Sequence, residues 1–351
     1  MSSLMPDDCV YFLDTPRHRG HDLAVWFVSH AFMQGDKHCD KLRCLIRDTE
    51  EVHPGFMSSP VIGLTLFRCI QTTRQDVILC LLSEGADVNM MFRGRCMLHE
   101  AVKTSKEGML SFLLSLPGVE KDKFDVEMRT PLMDAARGRP KCLKILLEGG
   151  CDMKLTDSKG DTAFHHAFQA PRPHRDDIIA CLDTMLEYGA DVNSRGSQGK
   201  TCLQKAAETG NHWLIKWLIF HNCDLNVQLK NCRIQLAQFQ ALRFCNEIPL
   251  LIAIKRADRV LVEVMIACGC EYRQYNYKWV LDYCRQFRLL YNSLVNSFSG
   301  VESLQNCCRK VIRRCLTTNI VAESRQLRLP VALQRYVLCQ GELKDLDHWG
   351  T

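Results

Sequence analysis

The stretch Leu81-Leu82-Ser83-Glu84-Gly85-Ala86-Asp87-Val88-Asn89 decides the architecture, because the chain repeats it. It is echoed by Leu146-Leu147-Glu148-Gly149-Gly150-Cys151-Asp152 and returns as Leu186-Glu187-Tyr188-Gly189-Ala190-Asp191-Val192-Asn193. A looser copy is Leu218-Ile219-Phe220-His221-Asn222-Cys223-Asp224-Leu225-Asn226. The first three copies read as helix ends, each running into a Gly that can adopt the left-handed stop. About 20 residues ahead of such endings sits a second signature, seen as Met97-Leu98-His99-Glu100-Ala101-Val102, Thr130-Pro131-Leu132-Met133-Asp134-Ala135-Ala136 and Thr162-Ala163-Phe164-His165-His166-Ala167. It continues as Thr201-Cys202-Leu203-Gln204-Lys205-Ala206-Ala207 and Ile248-Pro249-Leu250-Leu251-Ile252-Ala253-Ile254. Thr-Pro opens a helix well, because Thr can cap it and Pro at the first helical position loses no needed N–H. Small Ala pairs let that helix lie close to a neighbour, while the Leu pair of the second helix fills the groove between units. Neither helix can bury its apolar face alone, so successive units must stack.

Taken together the two signatures resemble the ankyrin repeat, whose period is about 33 residues. The match is strong in the middle copies and degenerate at both ends. The resemblance implies an all-α solenoid of about six repeats over residues 56–270. Two interruptions stand out, at residues 169–175, which hold Pro171 and Pro173, and at residues 229–245. Insertions in such arrays project from one face and either carry recognition or are tolerated surface loops. Upstream, Leu23, Trp26, Phe27, His30 and Ala31 have helical spacing and residues 41–47 suit a second helix. Residues 1–55 therefore read as a helical cap or extension, since an array needs a polar-faced end unit.

Downstream, the chain runs Ser303-Leu304-Gln305-Asn306-Cys307-Cys308-Arg309-Lys310-Val311-Ile312. Leu304, Cys308 and Ile312 recur every four residues, so a helix would gather them into one narrow apolar stripe. A turn signal, Leu329-Pro330, precedes a second apolar pattern of Leu333, Tyr336, Val337 and Leu338. The segment is too short to bury a core by itself and must dock onto something. Ser-Leu-x-x-x-Cys-x-x-x-Ile resembles the elongin C-binding box that opens a SOCS box, and Leu329-Pro330-Val331 resembles the cullin-contacting part of that module. With the repeats ahead of it, the chain resembles the ankyrin-repeat and SOCS-box (ASB) family across nearly its whole length.

That resemblance implies a small three-helix SOCS-box module at residues 301–340, joined to the repeats by a helical half-unit at residues 271–300. It implies elongin C as the partner of Leu304, Cys308, Val311 and Ile312, with Ser303 capping their helix and elongin B bound in turn to elongin C. Leu329, Pro330 and Val331 would face a cullin-5-type scaffold that carries a RING partner. The family's cullin motif usually ends in a second Pro, and Ala332 stands in its place, which leaves the choice of cullin open. The implied function is a substrate-recognition adaptor of a cullin–RING ubiquitin ligase, marking an unknown protein substrate for degradation.

Composition sets the outer bounds. The hydrophobic share is 46% and the charged share 24%, those of a globular protein. Residues 301–340 hold seven Lys or Arg against Glu302 and Glu323, a surplus equal to the whole chain's net charge of +5. The remainder is therefore neutral, which argues against a nucleic-acid-binding face. Twenty cysteines invite a disulfide or zinc reading, yet no two are spaced C-x-x-C. Several, such as Cys80, Cys142 and Cys181, lie inside apolar helical patterns, where Cys acts as a small hydrophobe. The acidic start, Met1 to Asp8, lacks the basic and apolar runs of a signal peptide, and no stretch approaches a membrane span. A reducing, cytoplasmic setting is expected, with the nucleus as a second address.

Catalytic readings are weak. Gly199-Lys200-Thr201 mimics the end of a phosphate loop, but position 194 is Ser where that pattern needs Gly. His38, Cys39 and Cys44 do not amount to a four-ligand zinc site. His99, His165 and His166 occupy helix-start positions suited to structural hydrogen bonds. We therefore expect a non-enzymatic adaptor with no cofactor and no metal. An ankyrin scaffold or sequestering protein without a ligase link is the alternative, and a lipidated helix at Cys307-Cys308 a weaker third.

Overall fold

The computed structural model describes residues 43, 46, 47, 50, 51, 54–169, 174–226, 248–268, 270 and 338. Among them there is no strand, and two single bridges, Phe92 with Arg95 and Arg195 with Thr201, close hairpin turns between helices. The chain divides into two compact units, residues 1–155 and 156–351.

The first unit contains three helix pairs: α1 (Pro60–Thr72) with α2 (Gln75–Ser83), α3 (Met97–Lys103) with α4 (Glu107–Ser115), and α5 (Pro131–Ala136) with α6 (Pro140–Glu148). The first helices of successive pairs pack on one another, α1 on α3 and α3 on α5, and α4 packs on α6 behind them. Local chemistry explains α5. Pro131 takes the first helical position, and the Thr130 hydroxyl accepts the Met133 N–H at 3.4 Å. Leu132, Met133, Ala135 and Ala136 are all fully buried, the Ala pair small enough to admit a neighbouring helix at close range. Leu143 and Leu146 of α6 are equally buried.

The first unit also holds the described residues of the upstream segment. Ile46 is buried, and Arg47 forks onto Glu84 at the end of α2, with Nε–Oε2 at 2.9 Å and Nη2–Oε1 at 3.0 Å. The Glu50 carboxylate accepts the backbone N–H groups of Gly55 and Met57 at 2.7 and 3.0 Å. These contacts anchor the entry into the 3-10 turn Phe56–Ser58.

The second unit holds α7 (Ala163–His166), which continues into a 3-10 turn at Ala167–Gln169, then α8 (Arg175–Glu187). It continues with α9 (Cys202–Thr209), α10 (His212–Phe220), α11 (Pro249–Lys255) and α12 (Arg259–Ala267). Helix α9 packs on both α10 and α11. The Trp217 indole donates to Asp183 at 3.0 Å, tying α10 to α8, and Phe164 lies 6.2 Å from the Trp217 ring. After α10 the left-handed stop is taken by Asn222 at φ +57°, a residue type that tolerates this region.

The ten described cysteines are free thiols and buried, Cys80, Cys142 and Cys181 among them. Burial pushes the Cys69 and Cys151 thiols up to about 12. Residues 170–173 of the first expected insertion, all of the second at 229–245, the half-unit at 271–300 and most of the upstream cap lie outside the described residues.

Leu146 on α6 is fully buried, so Leu146→Ala should cost about 2–5 kcal/mol, the range for cavities of this kind. Urea unfolding followed by circular dichroism would show it as a lowered midpoint with an unchanged slope.

Candidate functional site

The helix pairs position a row of turns, and the repeated Asp-x-Asn explains how. In each copy the Asp carboxylate accepts the N–H two residues on: Asp87 from Asn89, Asp191 from Asn193 and Asp224 from Asn226, at 2.8, 2.8 and 2.9 Å. The Asn then reaches into the next repeat. Asn89 donates to the Gly118 carbonyl and accepts the Glu120 N–H, both at 2.8 Å, and Asn193 accepts the Asp224 N–H at 2.7 Å. Asp122 plays the same part toward the Asp152 N–H at 3.1 Å. The signature is thus a joint between neighbours as well as a stop.

Beyond each joint lies a finger. Residues 90–96 form a hairpin in which Phe92 and Arg95 exchange backbone hydrogen bonds at 2.9 and 3.1 Å. The Phe92 ring packs edge-on against Phe67 at 5.4 Å, and the Arg93 guanidinium lies 5.4 Å from the centre of the Phe92 ring. Residues 125–130 form the next finger, organised by the buried Asp125. Its Oδ1 accepts the Glu127 and Arg129 N–H groups, both at 2.8 Å, and its Oδ2 accepts the Arg129 fork at 2.8 and 2.9 Å. Burial works against the Asp125 charge, but the Arg129 donors outweigh it and hold the carboxyl below its usual range. The Val126 N–H donates to the Gly94 carbonyl at 3.2 Å, joining the two fingers.

Histidines fasten the helix starts to these fingers. His99 is fully buried, with Nε2 3.0 Å from the Arg129 carbonyl. A carbonyl can only accept, so Nε2 carries the proton and Nδ1 faces the Cys96 thiol at 3.0 Å as an acceptor. In the second unit His165 repeats the arrangement, with Nε2 3.2 Å from the Ser194 carbonyl and Nδ1 2.8 Å from the Thr162 hydroxyl. Beside it, Asp161 gathers the Lys205 ammonium at 2.6 Å, the Ser197 N–H at 2.7 Å and the Gln169 amide at 2.8 Å. Burial opposes the Asp161 charge, yet these donors bring its pKa down to about 2. Burial first, and the Lys205 charge second, depress His165 to about 4. Gly196 closes over the pair so tightly that a Cβ there would collide with Asp161 Oδ1 and the His165 ring.

This chemistry is inward-looking, since the buried carboxylates and imidazoles serve as joints. Among the described residues no group of three or more His, Cys, Asp or Glu could hold a metal ion, and no helix is long and apolar enough to cross a membrane. What the fingers turn outward is different: Met91, Val126 and Met128 are exposed apolar side chains. Sequence reading did not single these three out. The residues it did single out, Ser303, Leu304, Cys308, Val311, Ile312, Leu329, Pro330 and Val331, lie outside the described residues, as do His38 and Cys39. Of the second apolar pattern, Leu338 is described, and it is buried.

The repeated helix pair with its finger and Asp-x-Asn joint defines an ankyrin-repeat protein, and a family model for ankyrin repeats, in three copies, matches residues 66–157 and 132–229. A SOCS-box model matches residues 300–338. Repeats followed by that box match the architecture of the ankyrin-repeat and SOCS-box (ASB) family. Among curated relatives, the E3 ubiquitin-protein ligase KEG of Arabidopsis thaliana is 29% identical over 143 residues, 40% of this chain and 9% of that protein. The B-cell lymphoma 3 protein homolog of Mus musculus is 25% identical over 260 residues, 71% of this chain and 49% of that protein. The chain thus spans half or less of the length of both. The crystal structure of the Bcl-3 ankyrin repeat domain, from a member of the IkappaB protein family, superposes with a TM-score of 0.53 at 20% identity. It covers 65% of this chain and 96% of that domain, a likeness of fold alone.

The His165 joint has a pH signature. A histidine held neutral at about 4 in the fold and near 6.5 when unfolded stabilises fully above pH 6.5, and that contribution is lost as pH falls toward 4. Between pH 7 and pH 5 the second unit should lose about 2 kcal/mol through this group. Urea unfolding at both values, comparing the native chain with His165→Gln, would show the wild-type slope flattened in the variant.

Proposed function

We propose that this chain is the substrate-recognition adaptor of an elongin B/C–cullin–RING ubiquitin ligase of the cullin-5 type. The observation that carries the reading is the SOCS-box match at residues 300–338 behind ankyrin repeats at 66–229. Leu304 is the anchor in this reading, entering an apolar pocket of elongin C, with Cys308, Val311 and Ile312 lining the same helix face and Ser303 capping it. Elongin B binds through elongin C, and Leu329, Pro330 and Val331 face the cullin. The chain performs no bond chemistry of its own. It acts by effective concentration, holding a lysine of the client near a ubiquitin-loaded carrier.

The repeats suit the other half of the task. Their buried polar groups are spent on joints between neighbours, so the fingers form a fixed platform whose outer residues are free to vary with the client. Proteasomal degradation of the ubiquitinated client follows from the same reading, as does a cytoplasmic place of action.

The double variant Leu304→Pro, Cys308→Phe breaks the helix and overfills its seam. Co-expression and pull-down should recover elongins B and C with the native chain and lose them with the variant, while the helical circular-dichroism signal of the repeats persists. Undiminished elongin recovery from the variant would reject the assignment.

A further inference from the structure

We infer that Arg95 and Asp134 form a recognition site for a primary carboxamide, the side chain of an asparagine or glutamine presented by the client. The inference deepens the adaptor reading and rests on it only in calling the occupant a client.

The chain supplies its own control. Arg95 stands one residue before the cap of α3, and Asp134 is the fourth residue of α5, the first helix of the next pair. Asp161 and Lys205 hold the same two stations in the second unit, one residue before the cap of α7 and fourth in α9. There the pair closes: Lys205 Nζ lies 2.6 Å from Asp161 Oδ1, and the Ser197 N–H and the Gln169 amide complete the carboxylate. In the first unit Arg95 Nη1 and Asp134 Oδ2 stop 4.0 Å apart, beyond a hydrogen bond. An arginine can close on an aspartate in this fold, since Arg129 meets Asp125 at 2.8 Å one finger further on.

Both partners therefore keep bonding capacity. Four carboxylates are buried among the described residues: Glu100, Asp125, Asp134 and Asp161. Glu100 accepts the Gln71 amide at 2.8 Å, and Asp125 and Asp161 are bonded as described. Asp134 differs, because among the described residues no hydrogen bond reaches its carboxylate and none leaves the Arg95 guanidinium. Its side chain is 10% exposed, whereas that of Arg95 is 30% exposed, so the pair opens to the outside on the arginine's side. A buried charge without hydrogen bonds is costly until something supplies them.

The chemistry of the gap selects the occupant. Asp134 needs a donor and Arg95, beside it, an acceptor. A lysine or arginine would suit Asp134 but meet Arg95 as a like charge, and a carboxylate would suit Arg95 but be repelled by Asp134. A backbone peptide group holds its N–H and C=O on opposite sides of a planar trans bond, so it cannot face both. A primary carboxamide carries oxygen and NH2 on one carbon: the oxygen accepts from Arg95 while the NH2 donates to Asp134. A hydroxyl would have to serve both with one atom. A nucleobase edge offers a similar pairing, but outside residues 301–340 the chain has no surplus of positive charge to hold a phosphate backbone. Asp134 sits in the capped, buried start of α5, so the acceptor is fixed before anything binds.

The test uses the full chain co-purified with elongins B and C, probed with a display library of short random peptides. The native chain should enrich peptides with Asn or Gln at one fixed position. Changing that residue to Asp or Leu in the best peptide should weaken binding by roughly tenfold or more, a measurement that needs no protein variant. Arg95→Met and Asp134→Ala should each weaken the unchanged peptide as much. The exchange of Arg95→Asp with Asp134→Lys installs the second unit's arrangement, so it should close as an internal pair, melt no lower than the native chain and still lose the peptide. Lys144→Ala, exposed on α6, should change nothing. Selected peptides with Ser, Thr, Lys or Glu at the fixed position, no enrichment, or equal binding by the native and exchanged chains would overturn the inference. So would Arg95-dependent shifting of an RNA probe in place of peptide binding, or a lower melting temperature of the exchanged chain, which would show that the stations are not equivalent. Elongin recovery is read in the same preparations, so loss of elongins with peptide binding intact counts against the adaptor reading alone.

Discussion

A helix of six residues followed by one of nine cannot shelter its own apolar stripe, and the rest of the molecule depends on that fact. Pro131–Ala136 and Pro140–Glu148 are each too short to persist alone in water. They persist because α3 and α4 cover one side of them. The residue types obey this constraint: Ala where helices must come close, Leu where a groove must be filled, Thr-Pro where a start must be defined. Stability in such a chain is a property of adjacent pairs, more than of any one core.

The same dependence governs the polar residues. Asn89, Asp122, Asn193, His99 and His165 each bond across the boundary between one repeat and the next, or from a helix start to a finger. The buried ones, His99 and His165, are costly unless every partner is present, so they fix how neighbours meet. Freedom remains on the outside. Two fingers with one hydrogen-bond plan carry Ser158 and Gly160 in one place and Val126 and Met128 in another without disturbing the scaffold.

Much of the fold was legible because its signals are redundant. Thr-Pro starts, Ala pairs and Gly-Ala-Asp endings occur in several copies, so a degenerate copy is recovered from its neighbours. The ending of α4, Leu116-Pro117-Gly118, lacks that signature and was not recognised; the structure supplies the missing helix stop there. The joints were only half legible. Asp-x-Asn was read as part of a helix stop, and nothing in the sequence says that Asn89 bonds forward to Gly118 and Glu120. Val126 and Met128 were invisible for a physical reason: two apolar residues in a turn carry no period, and the φ of +58° at Met128 cannot be read from a Met. The stripe of Leu304, Cys308 and Ile312 was the reverse case, a periodic pattern read from spacing and matched by the SOCS-box model.

The buried thiols have a use that their packing role conceals. The ten described thiols run from Cys69 in α1 to Cys270 just beyond α12, and at Cys69 and Cys151 a pKa of about 12 leaves almost no thiolate at neutral pH. A sulfur in that state ignores alkylating reagents until its own repeat opens. A brief pulse of iodoacetamide, followed by peptide mapping, would therefore record the sequence in which the stack frays, with the protein supplying its own gauges at unequal depths.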